Sequence, residues 1–426
     1  MTRPWIVVCL LLVLSLLLSA PIAAGEDGRT PVGTDIRISG PYATQDDDLP
    51  AVAHNTFNNQ YLVVWSDSRG PNPKIYGRRL KADLTPIGGD FRISATTSPA
   101  AETAPDVAWD ATHNTYLVVW GDDRNEVSRG RDIYGRRVKP NGTFAGAEFR
   151  ISGKNAMAHE FTPAVAWHPS SAGYLVVWVD GRNFTARSFD IYGRLVTADG
   201  KVPFAEMRIS GPNATAYDDL PDVAAGTSAF LVVWEDQRNF DAGNGTDIYA
   251  RRVASTGGLL GGDFRVNGFA GSSQVLPAVA WNDQAKQYLV VWQDGRNLGT
   301  TNLDIYGRRV KADGTRLAGD IRMTADPAAQ YRPDVAWNKT WNRYLVVWED
   351  WRDYATSGGD TYARRVGADG SRIGGNFRVS GTGAVSHEND TAVVYNQNSN
   401  QFLVVWSDWR NRASRGDDIF GRRVTG

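Results

Sequence analysis

Seven times along this chain an Asp and an Arg stand two residues apart: Asp67 and Arg69, Asp122 and Arg124, Asp180 and Arg182, Asp236 and Arg238, Asp294 and Arg296, Asp350 and Arg352, and Asp408 and Arg410. A carboxylate and a guanidinium so spaced have two uses. Around a shared opening they would form a ring of polar groups able to hold a polyanion, a sugar or cations. Inside a packed turn, Asp would cap the backbone and Arg would pair with the Asp that opens the following segment, as at Asp132, Asp190, Asp247, Asp304, Asp360 and Asp418. A position present in every copy is explained more simply by the geometry of the copy, which favours the framework role. The first copy has Lys74 in place of the second Asp, so the loop before Lys74 is expected to be held differently.

A unique site is expected where the copies disagree. The residue between Asp and Arg is Ser68, Asp123, Gly181, Gln237, Gly295, Trp351 or Trp409, so the last two copies offer adjacent tryptophans, with Tyr354 close by. Aromatic faces beside Asp, Asn and Arg suit sugar rings and their hydroxyls. Trp351, Trp409, Tyr354, Asp350, Arg352, Asp408 and Arg410 are therefore the candidate ligand-binding set; the competing reading is that the rings merely pack over their loops. Acidic residues recur between copies as Asp46, Asp47, Asp48, Glu102, Glu160, Asp218, Asp219, Glu388 and Asp390. Of these, Asp46, Asp47, Asp48, Asp218 and Asp219 are candidate oxygen ligands for Ca²⁺, set against ordinary solvated loops. No other cofactor is expected. His159-Glu160 and His387-Glu388 occupy equivalent places in the third and seventh copies. A His and a carboxylate can act as acid and base, but these pairs would meet only across a narrow channel. No other catalytic set stands out.

The elements that must carry these residues follow from the period. Segments reading aromatic-Leu-Val-Val-Trp begin at Tyr61, Tyr116, Tyr174, Phe230, Tyr288, Tyr344 and Phe402, between 55 and 58 residues apart. That length suits one small antiparallel sheet per repeat. In each, Tyr, Val and Trp face one way and Leu and Val the other, so both faces are apolar, as in a sheet packed between two neighbours. A small residue recurs on the third strand, at Gly77, Gly135, Gly193, Ala250, Gly307, Ala363 and Gly421. A large ring, the recurrent Trp, is expected against it.

The last repeat stops after its third strand, and the missing fourth is present near the other terminus as Asp35-Ile-Arg-Ile-Ser39. The predicted fold is all-β, a seven-bladed β-propeller of four-stranded antiparallel blades, closed by the N-terminal strand completing the last blade. Residues 1–24, with Arg3 ahead of an apolar run from Trp5 to Leu18, read as a signal peptide, 25–33 as a linker and 34–426 as the single propeller domain. An uncleaved membrane anchor is the alternative for that segment. Cys9, the only cysteine, lies within it, which excludes disulfides and thiolate metal sites from the remainder. Without residues 1–24 the chain carries 45 Lys and Arg against 47 Asp and Glu, a balance that argues against nucleic acid as a partner. The five histidines show no zinc spacing, and there is neither a phosphate-cradling glycine loop nor a Gly-x-Ser-x-Gly elbow. Asn213-Ala-Thr215 and Asn244-Gly-Thr246 match glycosylation sequons.

Leu-Val-Val-Trp-x-Asp-x-Arg-Asn followed by Asp-Ile-Tyr-Gly-Arg-Arg-Val resembles the repeats of secreted bacterial and archaeal propeller proteins, including surface proteins grouped with the TolB-like propellers. The resemblance covers about Asp35 to Val424 and implies fold more than activity. The chain lacks the Ser-x-Asp-x-Gly-x-Thr-Trp box of sialidases and the Gly-His and Trp-Asp signature of WD40 blades. The function expected is a secreted, extracellular or periplasmic binding or adhesion module, monomeric and without a membrane span after leader removal. Its expected partner is a carbohydrate or surface polymer contacted by top-face loops. The alternatives are a polysaccharide lyase or glycosidase, and a structural platform for protein partners.

Overall fold

The computed structural model describes residues 31–41, 45–95, 99–153, 158–171, 173–212, 216–269, 271–382 and 386–426. The apolar leader, the linker up to residue 30 and the Asn213-Ala-Thr215 sequon lie outside the described residues. Seven four-stranded antiparallel sheets form the blades of a closed propeller. Blade one runs outward from the axis as Asp47–Asn55, Gln60–Asp67, Lys74–Lys81 and Pro86–Arg92. Blade seven has Glu388–Asn396, Gln401–Asp408 and Asp418–Thr425 from the C-terminal end, and takes Pro31–Arg37 as its outer strand. Pro31 pairs with Val424 and Arg37 with Phe420, so the ring closes by exchange between the termini.

Burial follows the blade architecture. The second strand of blade one is buried along its whole length, whereas the outer strand is mostly half-buried or exposed. Leu175, Val177 and Val179 of blade three pack against Phe230, Val232 and Trp234 of blade four, so the two faces of the repeat meet at each joint. Fully burying such a large apolar side chain contributes about 1.5–3 kcal/mol.

The paired arginines of the third strand explain why the ring stays rigid. The first reaches back: Arg78 donates to the Ile38 carbonyl (2.8 Å), Arg136 to Ile93 (2.8 Å) and Arg194 to Ile151 (2.9 Å). The second reaches forward, Arg79 to Pro140 (3.0 Å) and Arg137 to Ala198 (3.2 Å). Blade three has Leu195 in the forward position, and there a cavity of about 380 Å³ opens beside Phe204, Ser255 and Thr256.

The small third-strand residue faces an aliphatic chain and not the expected tryptophan. A Cβ on Gly77 would lie 2.8 Å from Ile93 Cδ1, and one on Gly135 2.8 Å from Ile151 Cδ1. Where the small residue is Ala250 or Ala363, the residue at the Ile position is Val266 or Val379. Each added methyl is thus matched by a removed one within the same blade core.

Candidate functional site

Each Asp-x-Arg pair is engaged inside its own blade. Asp350 and Asp408 are fully buried. The Trp348 indole N–H donates to Asp350 Oδ2 (2.8 Å), the Arg352 backbone N–H to Oδ1 (3.0 Å), and the guanidinium to both oxygens (2.8 and 2.6 Å). The guanidinium then lies over the Tyr362 ring at 4.1 Å. Blade seven repeats this with Trp406, Asp408, Arg410 and Phe420. The arginines do not pair with the Asp opening strand three, as the spacing had led us to expect. Most reach an outer-strand acid, as Arg69 does Asp90 (2.5 Å) and Arg410 does Asp35 (3.0 Å), whereas Arg352 pairs with Asp326 (3.5 Å). The strand-three Asp is taken by the neighbouring Asn, Asn125 donating to Asp132 (2.7 Å) and Asn411 to Asp418 (2.8 Å). In blade one, Lys74 instead pairs with Glu102 of the next blade (3.5 Å), and its loop lacks the helical turn found at Glu126–Arg129 or Tyr354–Ser357.

Among the acidic candidates, Asp47, Glu102, Glu160, Asp218 and Glu388 open their blades' first strands and are fully buried. Burial, then the charge of a neighbouring Asp, pushes Glu160 up to about 9 and Glu388 to about 8, with Asp47 raised to about 9 beside Asp67. Blades five and six carry Gln274 and Gln330 at this position, amides isosteric with a protonated acid. These residues close blade joints, which removes Glu160 and Glu388 from the acid–base role considered for them. His159 is exposed and His387 part-buried, whereas the glutamate that follows each is fully buried. Among the described residues no group of three or more His, Cys, Asp or Glu is arranged to hold an ion, and Asp219 accepts the Tyr217 hydroxyl (3.0 Å).

The axial channel has a mouth of about 460 Å³ built by a bulge in every first strand. Leu49, Ala104, Thr162, Leu220, Leu276, Arg332 and Asp390 sit at its rim with φ between 46° and 55°, a left-handed conformation strained for non-glycine residues. Proline follows the first six and fixes the chain after the bulge; Thr391 follows the seventh. Below the rim, Asp106, Asp222 and Asp334 alternate with alanines. Each accepts the next residue's backbone N–H and one from the following blade, all at 2.7 Å. Their oxygens are therefore engaged in joining blades.

The rim is apolar or neutral until blades six and seven, where Arg332 and Asp390 form an ion pair at 2.5 Å. Asp48 of blade one lies next along the ring. Burial, with the charges of Asp390 and Asp46, pushes it up to about 6. Asp390 is raised by burial and held down by Arg332. Behind the pair stands the aromatic cluster: Trp351 stacks on Tyr354 (4.4 Å between centroids), and His387 packs edge-on between Trp351 (5.9 Å) and Trp409 (4.6 Å). Tyr331 closes on Trp351 at 4.8 Å, and Arg412 covers Trp409 at 3.7 Å. The Gly359 N–H donates to His387 Nδ1 (3.0 Å), which leaves Nε2–H to donate to Glu349 (3.3 Å). Trp351 donates to the same oxygen, yet burial still lifts Glu349 to about 7. The two tryptophans are thus locked by His387, with Tyr354 as the most exposed ring of the wall.

The sequence reading had Trp351, Tyr354 and Trp409, and included Asp48 only as an ion ligand. It passed over Arg332, Glu349 and the pairing of Asp390. The signal was present in the repeat: the residue two before the Ala-Val or Asp-Val of the first strand is uncharged in five copies and charged in two, Arg332 and Asp390.

No family model matches the chain, and no curated protein matches it. Among solved structures it is similar to an α-L-arabinanase from Penicillium chrysogenum complexed with arabinobiose (12% identity, 92% of this chain and 98% of that one, TM-score 0.53). It is also similar to an α-L-arabinofuranosidase variant from Fusarium graminearum in complex with an iminosugar inhibitor (12%, 92% and 98%, TM-score 0.55). A GH93 α-L-arabinofuranosidase of Fusarium graminearum with arabinobiose matches at 10% identity and TM-score 0.50, covering 92% and 98%. At these identities the likeness establishes the propeller fold.

Proposed function

We propose that the protein is a glycosidase acting at the channel mouth. The binding or adhesion role expected from the sequence is set aside, because the propellers it matches over nearly their whole length are an arabinanase and arabinofuranosidases. Glycoside hydrolysis needs two carboxyl groups in different protonation states, one to protonate the leaving oxygen and one to stabilise or attack the anomeric centre. Asp48 and Asp390 stand beside each other on adjoining blades at the mouth, with Asp390 ion-paired to Arg332, and this arrangement carries the reading. Asp48, lifted to about 6, is the general acid. Asp390, paired to Arg332, is the partner that meets the positive charge developing on the sugar. Arg332 is partly exposed and can also bond a sugar hydroxyl, while Tyr331, Trp351 and Tyr354 form the wall against which the ring lies.

With residues 1–24 read as a leader, the protein acts outside the cytoplasm on a carbohydrate. No described helix is long and apolar enough to cross a membrane. The test is hydrolysis of arabinobiose and longer α-L-arabino-oligosaccharides, followed by product chromatography, with a panel of aryl glycosides for other sugars. Products released by the wild type and lost in Asp48→Asn, with an acidic optimum, support the assignment. Intact substrates throughout the panel would overturn it.

A further inference from the structure

In blades two to seven the turn after Asp-x-Arg-Asn, or Asp-x-Arg-Asp in blade six, begins with a side chain on the rim of the top face, and its chemistry is not random around the ring. Blades three to six place Phe184, Phe240, Leu298 and Tyr354 there, at 58%, 53%, 60% and 55% exposure. Blade two has exposed Glu126, blade seven exposed Arg412, and blade one lacks the helical turn. Four consecutive blades therefore present an apolar arc, with a charged residue at either end.

One large apolar side chain, more than half exposed, thus stands at the same turn position on each of four consecutive blades. The rings are held in place. Phe184 packs edge-on against Phe189 (5.0 Å), and Tyr354 is stacked on Trp351. Over residues 184–188, 240–245, 298–303 and 354–358 the only charged residues are Arg187 and Asp241, and the rest besides the four anchors are almost all Ala, Gly, Ser, Thr or Asn. This neutrality disfavours a polyanion or an anionic membrane, which would need clustered Lys and Arg. Apolar faces set among small hydroxyl and amide groups suit the alternating apolar and hydroxylated surfaces of a neutral sugar chain. The arc also ends at Tyr354, which belongs to the wall of the channel mouth.

We propose that the rim of blades three to six is a binding track for a neutral polysaccharide, which it leads toward the mouth at blades six and seven. The inference rests on the glycosidase reading for its choice of polymer, so the substrate is a long chain in addition to a short oligosaccharide. Phe184 and Phe240, remote from Asp48 and Asp390 in the blade order, contribute affinity and take no part in bond cleavage.

The experiment uses the full chain, linear arabinan and arabinotriose. Affinity electrophoresis in arabinan, performed with Asp48→Asn so that the polymer survives, measures binding separately from hydrolysis. Phe184→Ala with Phe240→Ala is expected to weaken arabinan binding about tenfold, in line with two lost ring contacts. The same pair placed in the otherwise wild-type chain should leave arabinotriose turnover unchanged. Arabinotriose cleavage with no arabinan retention, or with retention indifferent to the two substitutions, overturns the track and leaves the glycosidase assignment intact. Retention lost in the double variant, without hydrolysis of any substrate, supports the track while the activity assignment fails. Wild-type binding to phosphatidylcholine vesicles that depends on Phe184 and Phe240, with no arabinan retention, also overturns the track.

Discussion

The blade framework and the channel mouth use the same residue types to opposite ends. In the framework, Asp350 is fully buried, saturated by an indole, a backbone N–H and a bidentate guanidinium, and repeated in every blade. At the mouth, Asp390 has one cation, lies on a strained bulge, and faces a second acid from the next blade. A carboxylate enclosed within its own blade stabilises; one at an open mouth beside another acid is available to substrate. Regularity thus marks structure, and its interruption marks chemistry.

The sharpest way to break this comparison is to exchange the two roles. Asp48→Asn and Asp390→Asn should each lower glycoside turnover by a factor of about 10²–10⁴, the usual contribution of a positioned acid or base. The thermal midpoint should barely move, and a drop in midpoint matching the activity loss would assign both residues to the framework. The buried acids at the blade joints should behave in the opposite manner. Glu160 stays protonated in the folded chain up to about 9, whereas unfolded it ionises near the usual 4.5. Between those values the folded state holds the extra proton, so stability falls as pH rises, by at most about 1.4 kcal/mol per pH unit for one group. Glu160→Gln, imitating Gln274, should flatten the decline in urea unfolding between about pH 4.5 and 9, with no effect on the pH profile of turnover.

Two smaller effects probe how tightly the framework is matched. Gly135→Ala should cost about 1–3 kcal/mol by overpacking against Ile151 Cδ1, and adding Ile151→Val should restore most of it. Failure of that rescue would mean that the Gly/Ile and Ala/Val pairing is incidental. Leu195→Arg should return the forward clamp missing between blades three and four. The gain expected from one restored hydrogen bond is about 0.5–1.5 kcal/mol, read as a small rise in the thermal midpoint.

Much of this was legible in the residues. The aromatic-Leu-Val-Val-Trp period defined the blades, and the absent last strand matched to Asp35–Ser39 foretold the closure now seen in the pairing of Pro31 with Val424. The aromatic departures Trp351 and Trp409 lie on the same two blades as Arg332 and Asp390. The partner of each arginine did not follow from spacing, because a guanidinium two residues beyond its own carboxylate can fold back onto it, and here it does. Nor did the role of Arg332 and Asp390. They occupy a strand-like position, and only the bulge turns their side chains toward the axis.

The sequence by itself determined the number of blades, the seam between the termini and the alternation of faces, since these depend on period, strand patterning and chain length. The tertiary structure alone decided which charges gather at the channel mouth. A carboxyl's protonation state depends on burial and on neighbours far away in sequence: Asp48 is raised first by burial and then by the charge of Asp390, more than three hundred residues along the chain yet in the adjoining blade of the closed ring.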